Sequence, residues 1–393
     1  MSHHPRAQPR LISRWVASAC FVAAAAPALA QEQSPYYIGV SQGFTHDSNV
    51  LRTPNNETSD TISSTGVLGG INQRVGRQRL FADASAQVNR YRNVTTLNNK
   101  SYSLVAGLDW ETIETLSGAL HYTTRNYLTY FGAADGSTVT SDQITQQFSA
   151  SARYGLASQL MLNVGYDHNT LRLRSLPNRD ASQDTVSAGL RWAVGGKLTL
   201  GLGVRATKGR QETVPVADET DRKDIDLTAV WNTGGASTFN ARISSTKEKH
   251  TLATSPEFSE TTGAISWAYR PTGKLSINTT VSRDTGTEST FTAPVAGTTA
   301  LPVDSSRIST SWTLDTRYEL TGKSSLTAGV RQRKGTLTNT QTESIRGYTL
   351  GVSYAPTRSL ALNCSVAREN RSVSGTTAYD ATIAGCTGEL TLR

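Results

Sequence analysis

The chain has 393 residues, of which 37% are hydrophobic and 18% charged, with Gly 32, Cys 3 and a formal net charge of +8. An average soluble domain is roughly 45–50% apolar and about 25% charged, so both classes run short here and Ser, Thr, Asn and Gly fill the difference. Cysteine is too scarce for a disulfide scaffold or a multi-cysteine zinc module, and no apolar run beyond the N-terminus approaches the ~20 residues of a membrane helix.

Residues 1–30 read as a secretory signal peptide of bacterial style. Arg6, Arg10 and Arg14 form a positive start, Trp15 to Ala28 an Ala-rich apolar stretch containing Cys20, and Ala28-Leu29-Ala30 a small-x-small cleavage site. The expected mature chain, residues 31–393, is a single domain starting at Gln31; loss of three arginines takes the net charge from +8 to +5.

From there to the end, segments alternate apolar with small or polar residues, which is the period of a strand with two different faces. In chain order the predicted strands are 35–44, 60–72, 78–90, 100–111, 116–128, 141–154, 159–172, 182–194 and 198–208. They continue as 222–232, 237–248, 259–270, 274–284, 305–319, 324–334, 343–355, 359–369 and 381–392. In the fourth strand one face is Tyr102, Leu104, Ala106, Leu108 and Trp110, and the other is Ser101, Ser103, Val105, Gly107 and Asp109. In the eighth, Val186, Ala188, Leu190, Trp192 and Val194 oppose Thr185, Ser187, Gly189 and Arg191.

Aromatics mark the ends of alternate strands: Trp110, Tyr154, Trp192, Trp231, Tyr269, Tyr318 and Tyr354, at spacings of 44, 38, 39, 38, 49 and 36. Short turns follow several of them, such as Gly195-Gly196-Lys197 and Pro271-Thr272-Gly273. Aromatics held at one height beside short turns form an interfacial girdle. A soluble sandwich also alternates, but its strands are shorter; a propeller blade needs four strands in about this repeat length. The expected fold is therefore an all-β, antiparallel up-and-down transmembrane barrel of about 18 strands, 16 being the alternative count. Both termini fall on the short-turn, periplasmic side, and the place of residence is the bacterial outer membrane.

The apolar phase then faces lipid and the other phase the lumen. Candidate lumen-lining residues are Arg125, Arg153, Arg191, Arg205, Arg242, Arg270, Arg317 and Arg331, with Asp83, Asp109, Asp167, Asp226 and Asp315. This mildly positive, hydroxyl-rich wall suits a hydrated channel for anionic or neutral solutes, although neighbouring Arg and Asp could simply neutralise one another. The longest loop, Thr285 to Asp304, could fold inward or stay at the surface. Cys364 and Cys386 share the lipid-facing phase of the last two strands, nearly opposite one another. A cross-strand disulfide and two free thiols are both open readings.

Chemistry beyond a channel finds little footing. The four histidines of the mature chain, His46, His121, His168 and His250, lack metal-ligand spacing. His121, in the inner phase, is the one candidate for a barrel hydrolase. Gly201-Leu202-Gly203 lacks the third glycine and helix of a dinucleotide loop, and the basic residues are dispersed rather than clustered for nucleic acid. No catalytic residue, metal or cofactor is expected.

The first hairpin carries a resemblance. Tyr37-Ile38-Gly39-Val40, Asp47-Ser48-Asn49-Val50-Leu51-Arg52, Ser59-Asp60-Thr61-Ile62, Gly76-Arg77-Gln78 and Asn89-Arg90-Tyr91, with a Cys near the end, are similar to the EpsL-type outer-membrane barrels within the β-barrel porin families. These barrels are encoded with exopolysaccharide biosynthesis and export systems. The resemblance covers the first ~110 residues well and implies a passive conduit for an extracellular polysaccharide. Its implied partners are that polymer and periplasmic export or biosynthesis proteins, and any such barrel meets outer-membrane lipid and lipopolysaccharide. The alternative is a general uptake porin for small anionic or sugar solutes; a structural surface barrel would not conduct at all.

Overall fold

The computed structural model describes residues 34–112, 115–132, 138–157, 159–213, 216–252, 257–285, 308–336, 342–373 and 376–393. The expected signal peptide and residues 286–307 of the long loop lie outside them. Alternation in the sequence becomes strand wherever it was read: β1 Tyr36–Asp47, β2 Asp60–Val75, β3 Gln78–Tyr91, β4 Asn99–Glu111, β5 Leu116–Gly132, β6 Thr138–Ala157, β7 Leu160–Leu173, β8 Ala181–Val194 and β9 Leu198–Gln211. The second half is β10 Asp218–Asn232, β11 Ser237–His250, β12 Phe258–Tyr269, β13 Leu275–Asp284, β14 Ile308–Thr321, β15 Ser324–Thr336, β16 Thr342–Tyr354, β17 Leu360–Val373 and β18 Thr376–Leu392.

Every strand pairs antiparallel with its sequence neighbours, and β18 returns to β1 with Ile38 opposite Leu392 and Asp47 opposite Ile383. The eighteen-stranded sheet is thus closed. Closure leaves no backbone edge, the one arrangement that lets a sheet live in hydrocarbon where water cannot satisfy N–H and C=O groups.

The outer face is apolar and unpacked. Ile38, Val40 and Phe44 on β1, Leu190 and Trp192 on β8, Leu202 and Val204 on β9, and Leu350 and Val352 on β16 are all exposed. So many large apolar side chains in solvent would drive aggregation; against acyl chains the same band is the stable surface of a transmembrane barrel. All seven predicted girdle aromatics, Trp110, Tyr154, Trp192, Trp231, Tyr269, Tyr318 and Tyr354, lie at the short-turn ends of their strands. Phe239 and Trp267 join the belt: Trp231 stacks on Phe239 at 5.5 Å, Phe239 on Trp267 at 5.9 Å, and Trp267 on Tyr269 at 5.1 Å.

The short turns fall where read. Gly195 and Gly196 connect β8 to β9 with φ of 61° and 73°, a left-handed pair that side chains with a Cβ resist. The long-loop ends differ from expectation. β5 runs to Gly132 instead of 128, β6 begins at Thr138 instead of 141, and β18 begins at Thr376 instead of 381. Alternation by hydropathy stops at the edge of the lipid band, because above it both faces meet water. Backbone pairing has no reason to stop there, so the strands rise past the membrane as polar ribbons.

The last hairpin shows the same extension. Its register sets Asn370 opposite Asp380 and Cys364 directly opposite Cys386. A disulfide joins the two, with Cα atoms 4.0 Å apart. The pair lies in the lipid-facing phase with Val366 and Leu390.

Candidate functional site

A closed barrel concentrates its chemistry on the inner wall. The register places Arg125, Arg153, Arg191, Arg205, Arg242, Arg317 and Arg331 in the inward phase of their strands, together with Asp83, Asp109, Asp167, Asp226 and Asp315, while Arg270 lies just past the end of β12. They divide into two zones that differ in hydration and pairing.

The first zone is the short-turn half. Arg153, Arg191 and Arg317 each precede a girdle aromatic and Arg270 follows one, so all four ring the periplasmic mouth, and all are exposed. Among the described residues Arg125, Arg153, Arg191 and Arg270 form no ion pair, while Arg317 lies 3.7 Å from Glu319. The aspartates of this half are held: Asp83 accepts a hydrogen bond from the Tyr37 hydroxyl at 2.6 Å, and Asp109 lies 3.5 Å from Arg79 and 3.0 Å from His121 Nε2. Asp315 lines a hollow in the wall with Ser276, Asn278 and Arg331. This vestibule is open to water and sets unpaired arginines beside the carboxylates of Asp83, Asp315, Glu111 and Glu389.

The second zone is the long-loop half, where inward polar side chains are buried. Arg205 sits 3.5 Å from Asp224 and 3.4 Å from Asp226. Arg222, 1% exposed, grips Asp224 at 2.9 Å and donates to the Thr285 hydroxyl at 2.8 Å, three strands away. Arg242 reaches Asp284 at 3.0 Å, and His250 bridges Asp218 at 2.8 Å and Glu248 at 3.2 Å. Further round the wall, on β15–β17, a second network joins Arg331 to Glu369 at 3.4 Å, Arg333 to Glu343 at 3.0 Å and Arg371 to Glu343 at 2.5 Å. Removing a charge from water costs several kcal/mol, so carboxylates and guanidinium groups at this depth come as partners. The wall is crowded here and close to neutral.

The loop from β1 to β2 tightens this end further. Val50 and Asn49 are fully buried, and Arg52 is 3% exposed. Asp47, the last residue of β1, holds the turn: it accepts from the Asn49 backbone N–H at 2.9 Å and takes both Arg52 Nη1 and Nη2 at 2.9 Å. Arg52 has a φ of 54°, a left-handed conformation that costs a non-glycine residue free energy and is retained here by the paired charge. Its guanidinium lies 5.2 Å from the Tyr130 ring and 5.7 Å from the Tyr379 ring, so one side chain ties together the loop, β5 and β18. Burial works to lower the Arg52 pKa, but the hydrogen bond and charge of Asp47 win and raise it above the ordinary value.

A carboxylate clamps the neighbouring loop. Asp60, at the first residue of β2 and above the apolar band, accepts from the backbone N–H groups of Thr61 at 2.7 Å, Asn93 at 3.0 Å and Val94 at 2.7 Å. Burial alone would raise its pKa; the N–H donors of Val94, Asn93 and Thr61 overcome that and hold it below the ordinary carboxylate value. A depressed carboxylate contributes above its unfolded pKa and loses that contribution as pH falls through the folded one. Hydrogen exchange across residues 92–98 should therefore stay slow at neutral pH and quicken below about pH 4. Asp60→Asn should exchange quickly at every pH; an unchanged pattern would remove the clamp from the account.

Asp224, Glu248, Arg222, Arg333, Glu343, Glu369 and Arg52 are absent from the sequence-derived set. Arg222 and Asp224 carried a usable signal, since stepping back by two from Asp226 stays in the inward phase. Arg52 carried none, because a loop side chain has no phase to follow. Of the histidines, His121 and Asp109 form a lumen pair with Arg79 on the second oxygen, and Phe81 packs edge-on to His121 at 5.5 Å. No cluster of three or more metal-ligating side chains occurs among the described residues.

A closed eighteen-stranded barrel, apolar outside and charged within, is the architecture of outer-membrane porins, and the bacterial outer membrane is where such a surface is stable. No family model and no curated protein matches the sequence. Among solved structures the chain resembles Pseudomonas aeruginosa OpdK with vanillate, at TM-score 0.50 and 14% identity over 91% of this chain and 99% of that one. Pseudomonas aeruginosa OpdO aligns at TM-score 0.49 and 12% identity, over 91% and 96% of the two chains. At such identities the likeness concerns the fold.

Proposed function

We propose that the chain is a passive, non-catalytic uptake porin for small hydrophilic solutes, with a modest preference for anions. The observation that carries this reading is the division of the inner wall. A hydrated vestibule with unpaired arginines faces the periplasm, and the outer end is lined by buried ion pairs and the Arg52 loop. A solute entering from outside meets a crowded, ion-paired wall first and a rim of unpaired arginines second. Selection is then by size and polarity at that wall, with charge acting as a weaker term in the vestibule. The likeness to OpdK, a porin-fold structure solved with the small carboxylate vanillate, supports uptake more than polymer export. Export of a polysaccharide rests on the sequence resemblance, carried by the first ~110 residues and a Cys near the end, and the buried outer wall opposes passage of a bulky chain.

Planar-bilayer recording tests the reading. The purified barrel should give discrete conductance steps, and a salt-gradient reversal potential on the anion-selective side. Replacing Arg153, Arg191 and Arg270 with Gln should move the anion-to-cation permeability ratio toward unity by a factor of about two to three at 0.1 M salt, more in dilute salt where screening is weaker. Absence of any conductance would overturn the porin reading. Unimpaired small-solute uptake together with lost polymer secretion in a deletion strain would return the assignment to export.

A further inference from the structure

Above the apolar band, the outward face of β9–β12 carries an arrangement that a sheet by itself disfavours. Lys223 on β10 lies directly opposite Lys247 on β11. The same row continues to Ala206 on β9 and Ser259 on β12, so no carboxylate shares it. Both lysines are exposed and neither forms an ion pair among the described residues. Like charges directly opposed on neighbouring strands are destabilising, with Cβ atoms only ~5 Å apart.

The rows on either side show why this one stands apart. One step away from the membrane, Lys208, Asp221 and Lys249 lie abreast, with Asp221 opposite both lysines. Asp184 faces Lys208 from β8, and Glu257 lies 3.3 Å from Lys249. That row holds three carboxylates for its two lysines. One step toward the membrane comes Ile225, with Val204 opposite it on β9, then Leu227 and Ile243; each of these side chains is more than half exposed. Ser245 and Thr261 complete the Ile225 row, so the lysine pair is the last charged row before hydrocarbon, on the long-loop side that faces the outer leaflet.

We propose that Lys223 and Lys247 bind a phosphate of a phosphorylated glycolipid of the outer leaflet, whose acyl chains lie along Val204, Ile225, Leu227 and Ile243. A dianion between the two ammonium groups turns their repulsion into two charge-assisted hydrogen bonds. The apolar strip below supplies the lipid contact that a free phosphate could not use. Lipid binding here is independent of which solute crosses the lumen.

The test uses the full barrel in detergent with diphosphorylated lipid A as probe, and native mass spectrometry as readout. The wild type should retain the lipid, and Lys223→Gln/Lys247→Gln should weaken retention roughly thirty-fold, the effect expected from two lysines at an anionic surface. Lys223→Arg/Lys247→Arg should keep it, as should Lys197→Gln at the opposite end of the barrel. Heat-modifiable gel mobility verifies that each variant is folded. Equal retention by the double Gln variant would overturn the proposal. So would equal retention of dephosphorylated lipid A, or displacement by inorganic phosphate at concentrations comparable to the lipid.

Discussion

Replacing Arg52 with alanine is expected to free the first long loop from the barrel mouth, at a cost of about 3–5 kcal/mol to the local closed state. The size follows from what stays behind. Asp47 loses both of its guanidinium contacts, at 2.9 Å each, while remaining in the buried position that β1 and β18 impose on it. A buried carboxylate without its partner costs far more than the pair contributed. The rings of Tyr130 and Tyr379 also lose the cation packed between them, worth up to about 2 kcal/mol when desolvated. Exchange of amides 48–58 should accelerate by two orders of magnitude or more, and single-channel records should show added open-state noise. Arg52→Met with Asp47→Asn, which removes both charges, should recover much of the loss, since a buried ion pair is often replaceable by neutral groups. If the single and double variants open the loop equally, the charge pair is not what holds it.

Reduction of the Cys364–Cys386 bridge should lower the temperature at which the barrel unfolds in a heat-modifiability gel. The bridge spans a sequence separation of 22, for which chain-entropy arguments give about 3 kcal/mol. It also joins strands next to the β1–β18 seam, where closure brings together the two ends of the chain and has the largest loop to close. Cys364→Ser/Cys386→Ser should match the reduced wild type and be indifferent to reductant. A variant as heat-stable as the oxidised barrel would show that the hairpin's own ladder suffices. The export compartment is oxidising, so the bridged form is the relevant one.

Much of this architecture was legible because a transmembrane barrel writes itself into the chain locally. Lipid on one face and water on the other enforce period-two alternation, and the headgroup layer enforces aromatics at one height. Phase alone then assigned Arg205, Arg242 and Arg331 to the lumen. It could not say that these three are paired, to Asp226, Asp284 and Glu369, while Arg153, Arg191 and Arg270 are not. Pairing depends on which strand lies beside which and at what register. For Arg242 and Asp284, 42 residues apart, it also depends on a reach across β12. The polar ribbons above the membrane were illegible for a related reason, since their two faces see the same solvent and leave no period.

By itself, then, the sequence determined the strands, a count of about eighteen, the alternation of sides within the lipid band and the short-turn end of the barrel. Those follow from each residue's contact with lipid or water, a local property. Only the tertiary structure decided the ion-paired outer wall, the Arg52 lock across β1, β5 and β18, and the opposed Lys223 and Lys247. Each of these is a meeting of residues distant in the chain, set by closure and register.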